Sequence, residues 1–279
     1  VAGGGIGGMQ AALTAAARGH SVLLCEKGER LGGILMIEEG VPFKQKLTRY
    51  IESQKRKIDR AGIDVRLRTE VTPAFARSIA PDVIIAALGA EPIRPPIEGL
   101  DSANVLGVEE VYQNPSAVKG TVAIIGGGLV GIELAIWLAD KGHEVIVVEM
   151  LPYTAAIPPA GNTSELLSDS GQIRPGFNIF HGHALHNQLR RLESLEVFVS
   201  TKVLAIQDGT IDVAQGGETR AILADTVVHA VGLRPRCEAA LALCDCAPEF
   251  FQIGDCLSPA TIMEATQAGW QAARDIGRI

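Results

Sequence analysis

Aromatic side chains are scarce in this sequence, at 4% of its 279 residues. A packed interior must therefore be built from Val, Ile, Leu and Ala, and a hydrophobic content of 47% supplies enough of them. No dense block of Lys or Arg occurs and the net charge is -7, so neither nucleic acid nor an anionic membrane is an expected partner. The five cysteines, Cys25, Cys237, Cys244, Cys246 and Cys256, include no C-x-x-C pair. That pattern leads us to expect free thiols and a cytoplasmic location, with no signal peptide. The one long apolar run, Thr121 to Ala139, contains Gly126-Gly127-Gly128 and Glu133. These suit a strand, a tight turn and a helix better than a membrane span.

Glycine, by contrast, is abundant, with 31 copies that cluster rather than spread. Clustering points to a few places where backbone must approach something closely. The spacing then reveals a repeat. Gly3-x-Gly5-x-x-Gly8 recurs as Gly126-x-Gly128-x-x-Gly131, 123 positions later, and the same offset carries Gly19-His20 onto Gly142-His143 and Glu26 onto Glu149. A second pair, Pro81 to Pro92 and Ala224 to Pro235, matches at an offset of 143 and ends each copy with a strand running into Gly89 or Gly232. The second copy thus carries about twenty extra residues. Poor periodicity and frequent Pro and Gly place them between Leu151 and Phe180.

Each copy reads as a strand, a glycine turn, an apolar helix, a second strand and an acid. In such a unit the first glycine makes the turn, the second lets backbone approach a diphosphate, and the third packs helix on strand. The helix N-terminus favours the negative charge. Glu26 and Glu149 each lie 23 positions beyond their first glycine, placed to accept hydrogen bonds from ribose hydroxyls. Glu149 is followed by Met150 and Leu151, with no cation to meet a 2′-phosphate, so NADH is favoured over NADPH there. Glu26-Lys27 suits an FAD or ADP ribose. A turn of this kind normally follows a strand of about five or six apolar residues. Here only Val1-Ala2 precede it, and we read the chain as a piece of a longer protein.

Around this frame we expect helices over Phe43 to Ala61, His183 to Ser194 and Thr261 to Ile276. Leu195 to Val213 should hold two short strands around Asp208-Gly209, and Phe250 to Asp255 reads as a strand entering a turn. His181, His183 and His186 have no Cys or carboxylate at a tetrahedral spacing, so we expect a loop and helix start there and no metal site. The basic residues Lys44, Lys46, Arg49, Lys55, Arg56, Lys57 and Arg60 read as a solvated helix face, with a docking surface as the alternative.

The order GGGIGG…CEK…LGG, ALGAEP, GGGLVGIELA…VVEM, AVGLRP and IGDC…TIMEA resembles the two-dinucleotide flavoprotein reductases. Within them it is most similar to the C-terminal half of multidomain NADH:flavin oxidoreductases of the 2-enoate reductase and 2,4-dienoyl-CoA reductase type, with trimethylamine dehydrogenase a relative. The resemblance spans nearly the whole chain. It implies an α/β fold of two interleaved Rossmann-like doubly wound domains in a glutathione-reductase-like arrangement. Residues 1–118 and 236–279 would form a discontinuous FAD-binding domain, with an NAD(P)H-binding domain, 119–235, inserted in it.

By the same resemblance, the FAD site would comprise Gly3, Gly5, Ile6, Gly8, Glu26, Lys27, Gly32, Gly33, Gly89, Gly254, Asp255, Thr261, Ile262 and Met263. In it Gly32-Gly33 would let the chain pass the flavin, Asp255 would bond the ribityl chain, and the helix opening at Thr261-Ile262-Met263 would face the pyrimidine oxygen. The NAD site would comprise Gly126, Gly128, Leu129, Val130, Gly131, Glu133, Glu149, Met150 and Gly232, with Glu133 near the nicotinamide carboxamide. The sequence departs from the pattern at Leu88, where the family commonly has Thr, and in having no Cys after Gly32-Gly33.

The implied activity is hydride transfer from NADH to FAD. Electrons would pass onward to FMN in an N-terminal barrel domain that this chain lacks, which also holds an iron–sulfur cluster and reduces an enoate or enoyl substrate. No catalytic acid or base is assigned. A free-standing small reductase serving a carrier protein and a non-catalytic nucleotide-binding module stay open, as does a homo-oligomer.

Overall fold

The computed structural model describes residues 1–156 and 179–278. They divide into two units, Val1–Glu91 with Leu233–Ile279, and Pro92–Gly232.

In the first unit, β1 (Leu23–Cys25) pairs in parallel with β2 (Asp64–Arg66). Likewise β3 (Val83–Ala86) pairs with β14 (Glu249–Gln252). Ala2 stands between the two pairs, bridged in parallel to Cys25 on one side and Ala86 on the other. Val1-Ala2 therefore occupies the centre of a parallel sheet ordered β2-β1-Ala2-β3-β14. From it the chain turns into α1 (Ile6–Ala17).

One face of α1 is built from small residues and lies on α8 (Ile262–Asp275). A methyl added at Gly269 would collide with the Gly7 carbonyl, so this pair of helices tolerates nothing larger there. The other face of α1 places Met9 and Ala12 in a core with Leu24, Ile51 and Ile58. Ile51 and Ile58 come from α2 (Gln45–Arg60), whose basic residues Lys46, Arg49, Arg56, Lys57 and Arg60 are exposed. The expected helix from Phe43 begins as a 3-10 turn, Pro42–Lys44, which leads into α2. α3 (Pro73–Ile79) is capped by Thr72, and α7 (Cys237–Leu241) is a single short helix.

The second unit repeats this plan. β6 (Val122–Ile125) lies at the centre, flanked by β7 (Val145–Val148) and β12 (Thr226–His229). β8 (Leu195–Phe198) and β5 (Val105–Gly107) close the edges, all parallel, in the order β5-β12-β6-β7-β8. Strand for strand this is the first sheet, with a full β6 where Ala2 stands. α5 (Leu129–Asp140) follows β6 and buries Ile132, Leu134, Ile136 and Leu138 almost completely. Each contributes about 2 kcal/mol of hydrophobic stabilisation. The apolar run Thr121 to Ala139 is thus a strand, a turn and a helix, and no described helix is long and apolar enough to cross a membrane.

Several elements differ from expectation. Residues 92–118 pack with the second unit instead of the first, because β5 is hydrogen-bonded to β12 and α4 (Val108–Gln113) follows it. The helix expected from His183 is α6 (Ile179–Leu189), which starts a turn earlier and ends where Leu192 bonds back to Leu189. The hairpin at Asp208-Gly209 joins β9 (Thr201–Gln207) to β10 (Thr210–Gln215), and β11 (Glu218–Leu223) extends it to an antiparallel meander. Strand β11 escapes the periodicity because it is exposed on both faces. Most of the expected extra segment, residues 157–178, lies outside the described residues. Strands β4 (Ala90–Pro92) and β13 (Leu233–Pro235) pair with each other, and Arg234 meets Glu91.

His229 ends β12 inside the second unit, with Nδ1 unpartnered among the described residues. Burial and then the charge of Arg94 push its imidazole below the ordinary range, against the pull of Glu110 and a backbone bond at Ile93. A depressed value in the folded state means that the unfolded chain binds the proton more readily. The stability His229 permits is fully present above about pH 6.5 and is lost as pH falls through the folded value. Thermal melts at pH 8 and pH 5.5 should show a larger acid penalty for the parent chain than for His229→Leu. Equal penalties would remove His229 as the cause.

Candidate functional site

The two glycine turns have the same construction. Gly3 and Gly126 adopt φ of 105° and 113°, and a methyl there would strike the carbonyl of Ala87 or Ala230. A methyl on Gly8 or Gly131 would strike the carbonyl of Gly3 or Gly126. These four glycines are required by the fold itself. Gly5 and Gly128 are different, because a methyl at either would meet no protein atom within 4 Å. Their backbones are extended, with φ of -68° and -66° and ψ of -179°. Nothing in the protein demands glycine at these two positions, and the space in front of them is open.

The helix ends beside that space are also uncapped. α8 has Thr261 and α3 has Thr72 accepting first-turn amides, whereas α1 and α5 start at Gly5 and Gly128 with no side-chain cap. Their first-turn N–H groups have no intrahelical partner and point to where an anion is most stabilised. The turns fit a diphosphate.

Each acid sits against its turn. The amides of Gly4 and Gly28 donate to Glu26 Oε2 and Oε1, both at 2.7 Å. Those of Gly127 and Leu151 donate to Glu149 Oε2 and Oε1 at 2.6 and 2.8 Å. Two amides leave each carboxylate with further lone pairs, enough to take ribose hydroxyls. Gly4 and Gly127, which the motif reading passed over, are what admits the acid, since a methyl on either would press on the Glu26 or Glu149 side chain.

The 123-residue offset runs further than the motifs suggested. Leu31 and Thr154 each cover the middle glycine of their turn, and the next amides, of Gly32 and Ala155, donate to the Gly4 and Gly127 carbonyls at 2.9 Å. The copies then part. In the first unit Gly33 comes so near that a methyl on it would lie 3.0 Å from Gly5 Cα, so only glycine keeps that approach open. In the second unit buried Ala156 takes the equivalent place.

All the expected FAD-site residues lie in the first unit and all the expected NAD-site residues in the second. In the first, Ile6 is buried and Lys27 exposed. Asp255 is half-buried, which pushes its carboxyl up, and it accepts a bond from Ala260 N at 3.3 Å. Gly254 and Gly89 form the adjoining turns with positive φ. At the head of α8, Thr261 and Glu264 cap each other, while Ile262 and Met263 contribute first-turn amides and exposed side chains. In the second, Leu129, Val130 and Met150 are exposed around the open turn, and Gly232 packs near Ile93.

Glu133 is buried, and His181 of α6 meets its Oε1 at 3.0 Å. No sequence signal links them, since the pairing crosses the segment where the copies diverge. Among the described residues no cluster of His, Cys, Asp and Glu could hold a metal, and all five cysteines are free.

A family model, pyridine nucleotide-disulphide oxidoreductase, matches residues 1–272. The chain belongs to this family. As a pyridine nucleotide-disulphide oxidoreductase it is an FAD- and NAD(P)H-binding oxidoreductase module with the family's α/β fold. It is 33% identical to an NADH oxidase of Thermoanaerobacter brockii over 99% of its own length and 40% of that protein. It is 32% identical to a bilirubin reductase of Mediterraneibacter gnavus (strain CC55_001C) over 98% of the chain and 40% of the relative. The fold matches a 2-naphthoyl-CoA reductase with a TM-score of 0.84 at 29% identity, covering 97% of this chain and 38% of that one. This chain therefore spans about two fifths of the length of these proteins. The disulphide of the family name has no counterpart beside Gly32-Gly33, where Ile34, Leu35 and Met36 follow.

Proposed function

We propose that this chain is the electron-input module of an NADH:flavin oxidoreductase, passing a hydride from NADH to FAD. The observation that carries this reading is the pair of open, uncapped turns at Gly5 and Gly128, each backed by a carboxylate held by two backbone amides. FAD, when bound, supplies a two-electron acceptor. The protein's part is to bind and orient. Gly3, Gly5 and Gly8 would form the FAD diphosphate cradle, with Glu26 on the ribose and Asp255 and the head of α8 toward the flavin end. Gly126, Gly128 and Gly131 would hold the NADH diphosphate, with Glu149 on its ribose. Met150 and Leu151 present no positive charge to a 2′-phosphate, which favours NADH.

The onward acceptor in this reading is FMN in a barrel domain of the parent protein, and the final substrate an enoate or enoyl thioester. The names of similar proteins, cinnamate reductase and 2-naphthoyl-CoA reductase, support that substrate class. The chain reconstituted with FAD and mixed anaerobically with NADH should lose its visible flavin band, faster than with NADPH. A chain that binds both nucleotides yet stays oxidised would overturn the proposal.

A further inference from the structure

Arg236 follows β13 and is seated by its own backbone, its amide donating to the Gly89 carbonyl at 3.2 Å and its carbonyl accepting from Ala240 N at 3.1 Å. The side chain is partly buried, with Nε closed off from solvent. Its guanidinium makes no hydrogen bond or ion pair among the described residues. A guanidinium stays protonated in proteins, so this is a fixed positive charge. Closing water away from an N–H without replacing it is costly, and the residue therefore answers to something other than the stability of the fold. Its surroundings point to an anion. The Ala87 carbonyl lies against Gly3 of the first glycine turn, and two residues on, a methyl at Gly89 would meet no protein atom within 4 Å. The carboxyl of Glu91 is held below its ordinary range by a bond from Arg234 and that group's charge, against slight desolvation, and then by the charges of Arg236 and Lys27. Three cations thus gather around one carboxylate in a chain of net charge -7. Asp255, toward the flavin end, feels burial and the Ala260 amide but no cation. Arg236 belongs with Lys27, on the adenosine and diphosphate side.

We propose that Arg236 is a further FAD-binding residue, clamping the diphosphate from the Gly89 side of the first glycine turn. The inference rests on the FAD-binding reading of the first unit. With Nε closed in, the two Nη groups are the end left to donate, and they form a planar fork that matches two phosphate oxygens. Partial burial of the stem fixes the fork before a ligand arrives, so less ordering remains to be done on binding. The repeat supplies a comparison. Ile93, 143 positions earlier, makes the equivalent bond in the second unit, its amide donating to the Gly232 carbonyl at 3.0 Å. A cation therefore stands beside the last glycine of the first copy's site and an aliphatic side chain beside that of the second. The clamp suits a cofactor that stays in place through many turnovers, and its absence suits a nucleotide that must leave after each one.

Equilibrium titration tests this, with FAD followed by its fluorescence, ADP by its displacement of FAD, and NADH as the control at the second unit. Arg236→Met, which keeps an apolar stem, should weaken FAD and ADP alike by at least about tenfold and leave NADH unchanged. Without nucleotide this variant should melt no lower than the parent chain, because it removes a donor that had no partner. Arg236→Lys, which keeps the charge and loses the fork, should recover only part of the affinity. A loss confined to FAD, with ADP unaffected, would put the contact on the flavin and overturn the inference. So would a loss shared with NADH, or a lower melting temperature, either of which makes Arg236 a structural residue. A parent chain that binds no FAD removes the reading of the first unit itself, whereas equal FAD affinity in parent and Arg236→Met removes the role of Arg236 alone.

Discussion

Gly128→Ala should bind NADH about a hundredfold more weakly than the parent chain while remaining as stable. The methyl meets no protein atom and the backbone there is extended, so the fold accepts it. In the proposed reading the space it fills is where a diphosphate approaches the first-turn amides. Losing two charge-assisted hydrogen bonds at about 1.5 kcal/mol each gives the hundredfold figure. Gly131→Ala should do the reverse. Its methyl collides with the Gly126 carbonyl and crowds Ala230, an overpacking worth about 2 kcal/mol of stability. Denaturant melts and nucleotide titration on the two variants separate the effects, and Gly5→Ala and Gly8→Ala repeat the comparison for FAD. If Gly128→Ala binds NADH normally, the open turn is not the diphosphate site.

Glu149→Gln should erase most of the discrimination between NADH and NADPH, shifting the ratio of their Kd values at least about tenfold toward NADPH. The substitution keeps the shape of the side chain and one of the two acceptor oxygens, so that one of the amides of Gly127 and Leu151 keeps its partner. In the proposed reading it removes the negative charge that repels a 2′-phosphate, and it puts an amide donor where the second carboxylate oxygen stood. Glu149→Ala would be less informative, because it strips the partner from both amides, and the buried one of Gly127 alone costs about 1–3 kcal/mol, which would blur binding with unfolding. Competitive titration of both nucleotides on the glutamine variant is the measurement. An unaltered preference would mean that Glu149 only braces its turn.

Much of this was legible along the chain because nucleotide turns are local. The glycines at 3, 5 and 8 and at 126, 128 and 131 answer to backbone geometry within a few residues, and the 23-residue step to Glu26 and Glu149 is the length of one helix and one strand. α1, α5 and α8 were readable for the same reason, their periodicity and flanking glycines or Thr261 being local signals. The place of residues 92–118 was not, since nothing in that stretch announces that β5 will bond to β12 more than a hundred positions away. β11, exposed on both faces, has no alternation to detect.

By itself, then, the amino-acid order determined that the chain would make two strand–turn–helix units with an acid behind each, because those features follow from φ, ψ and side-chain period over short spans. Only the tertiary structure separated the glycines that the fold needs from the two that face open space, since that depends on whether a carbonyl from a distant strand stands in front of each one. It alone brought His181 to Glu133 and seated Ala2 between Cys25 and Ala86, because long-range pairing is settled by packing, which local sequence does not encode.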